Sequence, residues 1–219
     1  MAHLVGMEVF LDGQPLVVAR PTLAGALSTG AETARQRGRV IVEALADGVT
    51  LGDDQLSTPS DEPGSAREVR LTSADPRMLV TVTMSDGAEA LRSLREEQTE
   101  AAQLIQSGRE REGVERLSSI IQTWQMIGDL VERAGALLDT DFTALRLDGV
   151  APDGGLATIA PRLAQKLTDM KRALSARDWS RLADILEYDL SEEAGSWEQL
   201  LDALARHIGS PPAPNARGA

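Results

Sequence analysis

At Asp75-Pro76 the apolar pattern of this chain changes its period. Before that point, apolar residues come in short runs and alternations broken by Asp-Gly pairs. After it, they recur every third or fourth position over long segments. The first pattern suits strands and the second suits amphipathic helices. Asp75 is suited to cap a helix and Pro76 to its first turn, where a missing N–H costs nothing. The switch predicts an α+β protein: a small sheet domain over 1–75 and a helical domain over 76–208. A tail over 209–219 (GSPPAPNARGA) has no core residues and is expected to be disordered.

Within the first part, Met7 to Leu11 reads as a strand and Asp12-Gly13 as a hairpin turn. Leu16-Val17-Val18-Ala19 reads as the return strand. Pro21-Thr22 opens a helix that Gly38 ends, with Leu23, Ala26, Leu27 and Ala34 on one side. The segment Gly25 to Gly30 has the look of a phosphate loop but lacks the Lys-Ser/Thr pair, so it reads as helix with small residues for close sheet packing. Arg39 to Leu45 is the most β-branched stretch, and Asp47-Gly48 turns it into a short return at Val49 to Leu51. Ser57 to Ala66 is turn-rich, and Glu68 to Thr72 alternates as a half-buried strand does. This order resembles the β-grasp fold of ubiquitin-like domains over about residues 7–73. The resemblance implies one mixed sheet crossed by one helix. The module does not end the chain and carries no terminal Gly-Gly, so covalent tagging is not expected of it.

The helical part reads as an antiparallel four-helix region. In the first helix the β-branched run Leu79 to Thr83 and the pair Asp86-Gly87 suggest a true start near Ser85, with Leu91, Leu94, Ala101 and Ile105 as its core stripe. The second spans about Glu110 to Leu138, and residues 146–157 form a turn or linker. The third carries Ile159, Leu163, Leu167, Met170 and Leu174. Asp178 caps the fourth, whose apolar face runs from Trp179 to Ile208 with a kink near Ser191 to Ala194. The stretches Ala176 to Trp179, Leu182 to Asp189, and Trp197 with Leu200 and Leu201 resemble an uncharacterised bacterial helical family over residues 141–206. No activity comes with that resemblance.

Composition removes many chemistries. There is no Cys, which excludes disulfides, thiolate catalysis and Cys-based metal centres. The only His residues are His3 and His207, too few for a His-rich metal site, and no G-x-S-x-G elbow occurs. A net charge of −12 opposes nucleic-acid binding. No apolar run is long enough to span a bilayer, and MAHLVGMEVFLDG does not read as a leader, so a cytoplasmic location is expected. No cofactor is expected.

What remains is binding. If Val9, Leu11, Val40 and Val42 face the crossing helix, then Phe10, Ile41 and Leu45 share the opposite face as an apolar patch that needs a cover. Trp179 follows a cap and is the Trp expected to be exposed. Asp184, Glu187 and Tyr188 lie at helical spacing in the densest acidic stretch, which reads as a solvated face or a partner contact. The expectation is a non-catalytic protein–protein interaction module, an adaptor, assembly or chaperone-like protein, with a protein partner or self-association as a homodimer. The alternative is a small-molecule- or metal-responsive regulator binding between sheet and helices. An enzyme using the acidic helix ranks last, because the chain has almost no His to shift or relay protons.

Overall fold

The computed structural model describes residues 7–147, 150 and 154–210. The architecture is α+β, and the chain divides into two compact units between Leu79 and Val80.

The first unit comprises β1 (Glu8–Leu11), β2 (Gln14–Pro15), α1 (Leu23–Gln36), β3 (Val40–Ala46), β4 (Val49–Thr50), α2 (Asp53–Ser57) and β5 (Glu68–Ala74). The strands form one sheet in the order β2-β1-β5-β3-β4. β1 and β5 are parallel and the other pairs antiparallel. Both hairpins turn on Asp-Gly with positive φ, Asp12 and Gly13 at +51° and +76°, Asp47 and Gly48 at +49° and +80°. Two successive left-handed residues match the twist of the flanking strands. The tight first turn sets Leu11 opposite Gln14, so the return strand is Gln14–Pro15 and not the expected Leu16 to Ala19. One further bond, from Leu16 N–H to the Val9 carbonyl at 2.7 Å, closes the ladder before the chain leaves the sheet.

α1 covers one face of this sheet. Leu23, Ala26 and Ala34 pack with Val9, Leu11, Ala44, Val69 and Leu71 as the first unit's core. Gly30 lets helix and sheet touch, since a Cβ there would lie 2.0 Å from Leu71 Cδ1. Thr22 caps α1 by accepting from Gly25 N–H and donates to Asp61 across the turn-rich segment, both at 3.0 Å.

β3 departs from the expected phase. Ile41 pairs with Ser73 but Glu43 pairs with Thr72, so Val42 is an extra, bulged residue. A bulge shifts alternation by one. Ile41 therefore packs into the core under α1 and is removed from the second face, to which sequence alternation assigned it. Val42, expected beneath the helix, is 47% exposed. Beyond the bulge, Ala44 points inward and Leu45 outward.

The second unit contains most of α3 (Pro76–Gln106), then α4 (Glu110–Leu138), a 3-10 turn (Phe142–Ala144), α5 (Leu156–Ala176), α6 (Trp179–Asp184), a π turn (Ile185–Asp189) and α7 (Leu190–Gly209). α6, the π turn and α7 run on as one rod. α3 begins at Pro76, not near Ser85. Val80 and Met84, one turn apart, are buried at 3% and 0%, and that burial outweighs the weak helix preference of the β-branched run. Gly87 sits where Leu130 and Leu201 close in, each with a methyl 3.1 Å from the position of a Cβ. Gly108 (φ +81°) turns the chain, and α3 and α4 then lie antiparallel, cross-linked by Arg116–Glu100 at 2.9 Å and Ser119–Glu97 at 2.5 Å. Asp178 caps α6 through the Arg181 N–H at 3.1 Å, as its position predicts. The kink expected near Ser191 to Ala194 is instead the π turn just before it. Within the linker expected at 146–157, α5 already begins at Leu156, while 148, 149 and 151–153 lie outside the described residues. So do 211–219 of the expected tail.

Candidate interaction site

The face of the sheet away from α1 carries one row across all five strands. Pro15 pairs with Phe10, Phe10 with Arg70, Arg70 with Leu45, and Leu45 with Thr50. Phe10 and Leu45 are half-buried and flank Arg70 on either side. The Arg70 guanidinium lies over the Phe10 ring, 5.1 Å from its centre. Such a contact contributes about 0.5–1 kcal/mol at an exposed position. Glu68 holds the guanidinium in place by accepting from Nε at 2.7 Å and Nη2 at 2.9 Å. Those hydrogen bonds hold the Glu68 carboxyl below its ordinary value and push Arg70 up. The row thus has a fixed cation, a ring and a branched aliphatic chain side by side, rimmed by Glu43 and Glu68. It can bind an apolar side chain. On the same face the Thr72 hydroxyl donates to the Glu43 carboxylate at 3.3 Å.

Of the sequence-derived patch, the structure brings Phe10 and Leu45 onto this face and takes Ile41 away. Sequence reasoning missed Arg70. Alternation in Glu68 to Thr72 already put Arg70 opposite the core residues Val69 and Leu71. Its contact with Phe10 needed the parallel β1–β5 register.

The other candidates lie on the fourth rod of the second unit and do not form one site. Trp179 is half-buried and packs against the helical core. Asp184 is exposed at the end of α6. Glu187 accepts a hydrogen bond from Gln106 Nε2 at 2.8 Å. Tyr188 is 62% exposed. Asp189 is bound by Lys166 at 3.0 Å and Arg181 at 3.3 Å. The π turn spreads these side chains around a wider loop than the assumed α-helical spacing. Among the described residues, no three His, Asp or Glu gather as a metal ion would need.

The remaining Trp side chains are interior. Trp124 and Trp197 meet edge to face, with centroids 6.2 Å apart and planes at 71°. Each is 3% exposed, and neither indole N–H has an acceptor among the described residues. Gln98 is fully buried and its amide is likewise unpartnered.

Among the described residues, no helix is long and apolar enough to cross a membrane. A family model described as a domain of unknown function (DUF8042) matches residues 83–200, more than half of the chain. No curated protein and no solved structure matches. The matched stretch lies within α3 to α7 and leaves the sheet unit outside it.

Proposed function

The chain belongs to the DUF8042 family of domains of unknown function, and on that premise we propose that it is a non-catalytic protein–protein interaction module. In this reading, a protein partner docks on the outer face of the sheet. The observation that carries it is the row of Phe10, Arg70 and Leu45, a ring and an aliphatic side chain flanking an immobilised guanidinium. Arg and aromatic residues dominate binding energy at protein interfaces, and a guanidinium already fixed loses little freedom when a partner arrives. The role is that of an adaptor or assembly protein in the cytoplasm, with self-association as the version in which the partner is a second copy. Support for a ubiquitin-like, β-grasp origin of the sheet unit comes from its strand order and parallel β1–β5 pair. The net charge of −12 favours a protein partner over a nucleic acid.

The test is affinity capture from native lysate with wild type, Phe10→Asp and Trp179→Ala, followed by reassembly from purified components. The expected result is a partner lost with Phe10→Asp and kept with Trp179→Ala, with both variants folded by circular dichroism. The reading fails if no captured protein depends on Phe10 and light scattering shows a monomer.

A further inference from the structure

The outer face of the sheet has more negative charge than its own cation can balance. Among the described strand residues on this face, Arg70 is the one cation, and Glu68 holds it through both Nε and Nη2. Alternation puts Glu8 on this face with Phe10, and Glu43 with Leu45. Both carboxylates are exposed, and among the described residues neither has a salt bridge. Glu43 accepts only the Thr72 hydroxyl.

Register fixes where the two sit. Glu8 pairs with Glu68 and Glu43 with Thr72, on β5 two residues before and two residues after Arg70. The line from Glu8 to Glu43 therefore crosses Arg70 diagonally, about 13 Å along the strands and about 10 Å across them. A carboxylate stands at each end of that line, and the Phe10, Arg70 and Leu45 row lies in the middle. Glu8 also stands beside Glu68, a like charge on the neighbouring strand, which costs stability. The fold bears that cost with no salt bridge to Glu8, and a cation from outside would remove it.

We propose that this face docks a basic protein segment, one with a Lys or Arg on each side of an apolar side chain. This partner chemistry rests on the reading of the face as a docking surface and adds a charge rule to it. The apolar side chain lies on the Arg70 guanidinium between Phe10 and Leu45, and the flanking cations reach Glu8 and Glu43. An acidic segment would meet Glu8, Glu43 and Glu68 with the one guanidinium already engaged. A second copy would bring the same face and the same excess of negative charge, which disfavours self-association here.

The experiment titrates the full isotope-labelled chain with two peptides followed by NMR. One is acetyl-Lys-Ala-Trp-Ala-Lys-amide; the other is acetyl-Glu-Ala-Trp-Ala-Glu-amide. Extended, each holds its end side chains about 13 Å apart on the same side as the Trp. The basic peptide is expected to shift the Phe10, Leu45 and Arg70 amides saturably, and the acidic one to bind at least about tenfold more weakly. Glu8→Gln with Glu43→Gln should weaken the basic peptide by about two- to tenfold. That variant should melt at or above the wild-type Tm, because Glu68 loses its like-charged neighbour. Equal or tighter binding of the acidic peptide overturns the charge rule, as does an affinity untouched by the double substitution. In both cases the docking face itself still stands if Phe10→Ala weakens the peptides. Shifts confined to residues 80–210, or no binding of either peptide, overturn the proposal outright, and capture with Phe10→Asp then judges the face separately. A dimer that Phe10→Asp dissociates would put a second copy on the face and overturn it too.

Discussion

Asp12 turns the first hairpin and also fastens it to β5. Its carboxylate accepts from the Ser73 backbone N–H at 2.7 Å and from the Ser73 hydroxyl at 2.6 Å. Arg39 donates to that hydroxyl from Nε at 2.7 Å and to the Ser73 carbonyl from Nη2 at 2.6 Å. The Ser73 hydrogen bonds hold the Asp12 carboxyl below its ordinary 3.8, with Arg39 and Arg37 adding to the effect. A lowered folded pKa means that the unfolded chain takes up the proton first as pH falls. The network's contribution is therefore complete above the unfolded value and is lost as pH drops from there through the lowered folded value. Asp12→Asn keeps the left-handed backbone, which Asn tolerates, and removes the titration. Melting temperature followed below pH 5 should fall less steeply in Asp12→Asn than in wild type; parallel curves would refute the assignment. Gln98 makes an opposite case. Burying an amide without a partner costs about 1–3 kcal/mol, so Gln98→Leu should raise stability by that order. A loss on urea denaturation would show that the amide is bonded in solution.

Two glycines in α4 have opposite reasons to be there. At Gly113 a Cβ would come within 2.6 Å of Ile105 Cγ1 and 2.8 Å of the Ala101 carbonyl oxygen. Backbone cannot retreat as a side-chain tip can, so Gly113→Ala should destabilise by about 1–3 kcal/mol. Gly128 faces open space, so Gly128→Ala should stabilise by about 0.5–1 kcal/mol through helix propensity alone. Urea midpoints at constant m-value check both. At this scale most elements could be read from the residues. The Asp-Gly turns announce both hairpins, and the period of Val114, Leu117, Ile121 and Trp124 delimits α4. Three features could not be read. The bulge at Val42 and the π turn at Ile185–Asp189 each insert one residue into a repeat, and a repeat-based reading has no local signal for that. The start of α3 at Pro76 depends on what Val80 and Met84 pack against, which their own β-branched neighbourhood conceals.

Across the whole molecule, the two units have separate cores. One gathers Val9, Leu11, Ala26, Val69 and Leu71; the other draws on all four rods and includes both buried Trp residues. The candidate sheet site was half legible, because alternation exposed Phe10 and Leu45 but the bulge reassigned Ile41. That Glu8 and Glu43 stand at opposite corners of it was not legible, since their separation comes from how β1 and β3 pair with β5 and not from either stretch. Separate cores predict that residues 76–210 alone keep their helical circular dichroism and melt cooperatively. The sheet unit, small enough to bury only a modest share of its surface, should melt at the lower temperature. A fragment 76–210 that is unfolded would refute the division. The aromatic inventory is just as lopsided. Trp124, Trp179, Trp197 and Tyr188 all follow residue 80, and the sheet unit has Phe10 as its one aromatic side chain. Indole emission therefore watches the helices and is blind to the sheet, whereas peptide absorption sees both. The same solution, heated once under two lamps, would return two different melting curves.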